Sequence, residues 1–168
     1  MIKIERFLEK FPSCFFAEKI LPSITFFLII IFLAGAFLYA PTEVVEGDVQ
    51  RIFYFHLPTA LASYFCFGLT CLFSVLFLWK KHPIYNHWAK SAAIIGVVFT
   101  CICIWSGMAW GKPIWGVWWT WDARLTSTLI LLLLYIGYLL VHSLDPLGEG
   151  RYSKIASFIG AISFLDIP

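Results

Sequence analysis

Two stretches of the chain carry residue types that could hold a ligand. One is R-I-F-Y-F-H-L-P, from Arg51 to Pro58, with a single imidazole at His56. The other is W-G-K-P-I-W-G-V-W-W-T-W-D-A-R-L-T, from Trp110 to Thr126, in which five of seventeen residues are tryptophan. Trp105 lies just upstream, so six of the eight tryptophans gather here, mixed with Gly111, Pro113, Gly116, Lys112, Asp122 and Arg124 rather than with the Leu, Ile and Val of a core. Indole has a broad apolar face and one N–H donor, which suits a place greasy on one side and wet on the other. If Trp115 to Arg124 is helical, Trp115, Trp118, Trp119 and Asp122 share one face and Trp121 falls beside Trp118. The spacing then predicts an aromatic shelf ending in a carboxylate. Such a shelf can be a belt at headgroup level, a plug between helices, or a platform for a large planar ligand, and density alone favours the belt.

The order of the residues changes that preference. W-G-x-x-W-G-x-W-W-x-W-D-x-R-L-T resembles the tryptophan-rich WWD signature of the haem-handling membrane proteins of cytochrome c maturation, and within them the haem exporter protein C family (CcmC). The Arg51 to Pro58 segment is similar to that family's first external histidine segment, and the span spacing agrees over nearly the whole chain.

The elements that must position these residues follow from composition. At 168 residues, 61% hydrophobic and 13% charged, the chain is too apolar for a soluble domain and reads as a single all-α integral membrane domain, a polytopic helical bundle. A net charge of +2, with basic residues spread over loops, excludes a nucleic-acid binder. Residues 1–19 have apolar positions at near-helical spacing between charges and are expected to lie on the membrane surface. Four full spans are expected at about 21–40, 56–79, 91–109 and 125–142, with an incomplete fifth at 155–168 and Trp110 to Thr126 as an external loop. The first run is longer than a signal-peptide core, and Leu38-Tyr39-Ala40 is a poor cleavage site, so it is expected to be retained.

Lysine and arginine orient the spans. Nine lie in the N-terminal segment (Lys3, Arg6, Lys10, Lys19), the second loop (Lys80, Lys81, Lys90) and the fourth (Arg151, Lys154), against three in the first and third loops (Arg51, Lys112, Arg124). The positive-inside rule therefore predicts a cytoplasmic N-terminus, with His56 and the tryptophans facing outward, periplasmic in a bacterial cell inner membrane.

Other motifs carry less. Cys66, Cys71, Cys101 and Cys103 fall in expected spans and Cys14 on the reducing side, so all five read as packing residues and not as disulfides. Gly107 to Lys112 lacks the spacing and the hydroxyl of a phosphate loop; its glycines read as a close helix contact. His82, His87 and His142 read as solvated loop or helix-end residues. His56 sits two residues before Pro58, taken as the first turn of a helix, at the expected level of the shelf. An interfacial histidine alone is more often structural; beside the shelf, ligation is the better reading.

Haem fits the combination. Its plate can lie on indoles, its iron takes imidazole, and its propionates want a cation. The expected haem-binding residues are His56, as axial ligand to the iron, with Trp110, Trp115, Trp118, Trp119, Trp121, Asp122 and Arg124. Arg124 is the first choice for a propionate or an organising ion pair, Lys112 could equally meet lipid phosphate, and Asp122 is expected to orient the loop by accepting N–H bonds. No nucleophile and base are paired, so the expectation is a binding and hand-over protein and not an enzyme. The resemblance implies presentation of haem to a membrane-anchored haem chaperone (CcmE), beside a small membrane subunit (CcmD) and an ATP-binding transporter pair (CcmA, CcmB). It also implies a second external histidine and a sixth span; here Asp166 stands where Asn is usual and the chain ends, which reads as C-terminal truncation. The alternatives are a redox-enzyme subunit holding haem or quinone between span histidines, and an assembly subunit whose tryptophan loop docks a partner.

Overall fold

A computed structural model describes residues 19–145 and 150–166; the surface-lying segment expected before Lys19, and Cys14 with it, fall outside these. The chain divides into two compact units after Arg51.

In the first unit, α1 (Leu21–Ala34) opens with Pro22 in its first turn and widens into a π-helical turn, Gly35–Tyr39. Polar side chains in this apolar helix turn inward on the backbone: Ser23 Oγ donates to the Lys19 carbonyl at 2.7 Å and Thr25 Oγ1 to that of Leu21 at 2.9 Å. The carbonyls at its end meet a cation. Arg51 Nη1 donates to the Ala36 and Phe37 carbonyls at 2.7 and 3.0 Å, while its Nε pairs with Asp48 at 3.0 Å.

The second unit contains α2 (Arg51–Lys80), from Ile52 on, with α3 (Pro83–Trp115), α4 (Ala123–Ser143) and α5 (Arg151–Ile162), the last running into a 3-10 turn at Ser163–Asp166. With α1, four helical stretches are long and apolar enough to cross a membrane: Leu21–Tyr39, Asp48–Lys80, Pro83–Trp115 and Ala123–Ser143. The protein is thus a polytopic all-α membrane protein. The first stretch matches its expected span and the other three outrun theirs, most of all α3, which takes in Trp110 to Trp115 from the expected loop. A helix of 33 residues is roughly 50 Å long against ~30 Å of hydrocarbon, so its ends reach the headgroup layers. Pro58 likewise lies inside α2 rather than in a first turn, because the helix already begins at Arg51.

The packing is inverted relative to a soluble bundle. Small and hydroxyl residues face inward (Thr59, Ser63, Thr70 and Ser74 on α2; Ala89, Ala93, Gly96 and Thr100 on α3), while Leu61, Phe65, Ile94, Val98 and Leu133 are exposed. Apolar side chains gain nothing from leaving lipid, so helices associate through close contact of small residues. The hydroxyls of Thr59, Ser63, Thr70 and Thr100 are satisfied by their own helices, as with Thr70 Oγ1 to Cys66 O at 2.9 Å and Thr100 Oγ1 to Gly96 O at 2.8 Å. At the centre Phe67 stacks on Tyr135, centroids 3.8 Å apart and 6° from parallel, with Gly96 behind the phenyl ring. Tyr135 Oη donates to the Gly160 carbonyl at 3.2 Å, tying α5 to this layer.

Candidate functional site

His56 lies in the second turn of α2, where that helix passes the last turns of α3. Its Nδ1 is 3.1 Å from the Cys103 carbonyl and 3.1 Å from Ser106 Oγ. A carbonyl can only accept, so Nδ1 carries the hydrogen; Ser106 donates its own to the same carbonyl at 3.0 Å and presents a lone pair to the ring. Nε2 is left as the bare nitrogen, with no hydrogen-bond partner among the described residues. The approach is close because residue 107 is glycine: a Cβ there would sit 3.1 Å from His56 Cε1. Cys103, Ser106, Gly107 and Trp110 are three or four residues apart and form one face of α3.

Trp110 is the hub of the aromatic contacts. Its ring lies 6.2 Å from His56, 5.8 Å from Phe53 and 6.1 Å from Trp115, centroid to centroid. The continuous helical shelf expected from Trp115 to Arg124 does not form. Pro113 has no amide hydrogen to give to the carbonyl four residues back, and Gly116 closes α3 in the left-handed conformation, φ 76°, with its N–H on Lys112 O at 3.0 Å. Residues 116–122 are irregular. Trp119 and Trp121 pair edge to face at 5.7 Å within this connection, while Trp118 is 60% exposed and Trp121 77%. The indole N–H of Trp119 is buried without an acceptor among the described residues.

Asp122 starts α4. Its Oδ1 accepts the Leu125 amide at 2.9 Å and its Oδ2 the Thr120 hydroxyl at 2.7 Å, a helix cap that also fixes the end of the tryptophan connection. These two donors hold the carboxyl below the usual carboxylate range. Among the cations, Lys112 is spent on its own helix end, donating from Nζ to the Gly116 carbonyl at 2.7 Å. Arg124, in the first turn of α4, acts electrostatically on His56, and its guanidinium makes no hydrogen bond or ion pair among the described residues.

The structure therefore brings His56 together with Trp110, and through it Trp115, and sets Arg124 within electrostatic reach; Trp119 and Trp121 form a separate pair, and Trp118 makes no ring contact among the described residues. Sequence reasoning missed Phe53, Cys103 and Ser106, although the three- and four-residue spacing leading to Trp110 marks the last two as one face; Gly107 was read as a close helix contact, and it makes one, against His56 of α2. It also took His142 for a solvated helix end. His142 is 1% exposed, because it lies four residues beyond Tyr138 on the inward side of α4 and packs edge-on to that ring at 5.9 Å.

Comparison with known proteins places the sequence in a family. Residues 7–168 match the family model of Heme exporter protein C, CcmC. A ccmC-like mitochondrial protein of Marchantia polymorpha, named for cytochrome c biosynthesis, is 40% identical over 77% of this chain and 54% of its own length. Heme exporter protein C of Bradyrhizobium diazoefficiens is 35% identical over 90% of this chain and 60% of the relative. That of Escherichia coli K12 is 39% identical over 74% and 52%. The chain thus spans between half and two thirds of the length of these relatives. With a family match across nearly all its residues and a histidine seated against the first tryptophan of the WWD stretch, the chain belongs to the Heme exporter protein C family.

Proposed function

We propose that this chain binds haem at the outer face of the bacterial inner membrane and presents it for cytochrome c maturation. The observation that carries the reading is the state of His56. Metal-ligating histidines commonly give one ring N–H to a backbone carbonyl, which fixes the tautomer and turns the other nitrogen to the metal. His56 is held in that state by Cys103 O and Ser106. Three further features fit the ligand: Trp110 beside the imidazole offers an apolar face for the macrocycle, and the unpaired Arg124 guanidinium and the orphan Trp119 N–H are donors for propionates. The names of the relatives, which specify heme export and cytochrome c biosynthesis, support the same ligand.

The outward direction is supported by the lysine and arginine bias between loops. Reporter fusions after Gly47 and after Gly116 are expected to register outside the cytoplasm and a fusion after Tyr85 inside it. The reverse pattern would remove the site from the outer face.

Within this reading the protein is a carrier that hands haem to a membrane-anchored chaperone, CcmE, alongside CcmD and the ATP-binding pair CcmA and CcmB. The chain's own residues hold and orient the ligand and do no covalent chemistry. The exposed indoles are its open side. Replacing Trp118 and Trp121 together by alanine, with the Asp122 cap left intact, is expected to lower haem retained on purification by about tenfold, from the loss of two aromatic faces each worth ~0.5–1.5 kcal/mol. Membrane insertion should be unchanged. Full retention of haem in that variant would return the tryptophans to the role of an interfacial belt or a partner-docking loop.

A further inference from the structure

At the end of the bundle opposite the tryptophans, the turn between α2 and α3 is built against the ordinary preference of the backbone. Lys81 follows the last residue of α2 with φ 54°, the single positive φ outside glycine among the described residues, and its N–H closes the helix on Phe77 O at 2.8 Å. Glycine or asparagine normally takes this capping position, since a Cβ is strained there. A lysine at such a site points to a use for its side chain. The same residue lines a pocket of about 380 Å³ with Phe77, Pro83 and Lys154, and no carboxylate lines it among the described residues. That volume lies at the small end of ordinary ligand pockets, roughly 300–1,000 Å³.

Each part of the lining favours an anion that carries an apolar attachment. Two ammonium groups supply charge. Pro83 opens α3 and Lys154 lies in the first turn of α5, so two helix N-termini add positive potential at this end. Asp145, the carboxylate beside the start of α5, is engaged by the Gly150 amide at 2.6 Å and Ser153 Oγ at 2.8 Å. Phe77 and Pro83 supply the apolar wall. Nearby Trp79, 77% exposed, and Trp88, 48% exposed, are the side chains expected at headgroup depth.

We propose that this pocket is a binding site for the phosphate headgroup of an anionic phospholipid. Basic pockets between transmembrane helices are suited to such headgroups. Lys81 and Lys154 pair with the phosphodiester, and the glycerol and upper acyl carbons lie on Phe77 and Pro83. The assignment is independent of the haem site, which lies at the other end of α2 and α3.

Native mass spectrometry of the purified full chain in neutral detergent tests it. Phosphatidylglycerol and phosphatidylcholine of matched acyl chains serve as the lipid probes, and inorganic phosphate in millimolar excess as competitor. Phosphatidylglycerol should be retained in preference to phosphatidylcholine and survive the competitor. Lys81→Ala with Lys154→Ala should lower that retention about tenfold or more. Lys80→Ala with Lys90→Ala, which removes the same charge from residues outside the lining, should leave it unchanged. Lys81→Gly separates the site from the fold: glycine accepts φ 54° without strain, so thermal stability should hold or rise while lipid retention falls. The assignment is overturned by equal retention of the two lipids, equal loss in both lysine pairs, or undiminished retention in the lining variants. Displacement of the lipid by inorganic phosphate would make this a free-phosphate site and would overturn it too.

Discussion

Replacing His56 with alanine is expected to strip the protein of haem, read as loss of the Soret band from membranes solubilised and purified in parallel with the parent. The imidazole is the one histidine at the site among the described residues, and the neighbouring Cys103 thiol lies 3.9 Å from Nδ1, the ring nitrogen opposite the bare Nε2, so it is not placed to take over at the iron. Second-sphere partners of a metal-bound histidine are worth about 10–100-fold in affinity, and deletion of the ligand itself should exceed that range. Ser106→Ala should fall at the low end of the same range, about tenfold, because the Cys103 carbonyl still accepts from Nδ1 when the hydroxyl is gone. The two variants also differ in rescue. Alanine at 56 vacates the space between Cys103 O, Ser106 and Gly107, so added imidazole should restore the band in His56→Ala and leave Ser106→Ala unaffected. A full Soret band in His56→Ala without imidazole would sink the ligand assignment and, with it, the proposed haem site.

The contrast between these residues shows what a single sequence can disclose about such a site. His56 and the tryptophans were legible because their types are unusual for a membrane chain and because charge counting sends both to the same side. The apolar runs were legible for the same reason that the helices form: each is long enough to cross hydrocarbon with every backbone group bonded internally. Cys103 and Ser106 were not, since the interior of a membrane bundle is itself made of small and hydroxyl residues. A serine that steers a histidine looks in sequence like the serines that merely let helices approach. Nor does hydropathy mark where α3 ends, because Trp110 to Trp115 is equally compatible with a loop and with the last turns of a helix. The left-handed Gly116 decides it, and does so locally, since the helix runs on through Pro113 to Trp115. His142 was misread through its face and not through length: the expected span already ran to 142, but the residue lies four beyond Tyr138 on the inward side of α4, which buries it.

The interior also makes a prediction in which one substitution has opposite signs at two sites. Gly96 and Gly137 both lie within transmembrane helices, α3 and α4, and in each the change to alanine gains helix propensity of about 1 kcal/mol. At Gly137 nothing lies within 4 Å of the added methyl, so that gain should appear as a modest rise in thermal stability. At Gly96 the methyl would come within 2.5 and 2.7 Å of two Phe67 ring carbons. The phenyl ring has no retreat, because Tyr135 is stacked on its other face at 3.8 Å and is itself tied to α5 through the Gly160 carbonyl. Relief requires α2 and α3 to separate, and overpacking of this kind costs about 1–3 kcal/mol. For a domain of this size that corresponds to a fall of roughly 2–12 °C in Tm. A second substitution at the same contact checks the cause: Phe67→Leu, introduced with Gly96→Ala, removes the ring that the methyl strikes and should cost less than the two single changes added together. Equal destabilisation at Gly96 and Gly137, or strict additivity of the pair, would mean that the helices are not held at the separation set by the glycine, the phenyl ring and the tyrosine.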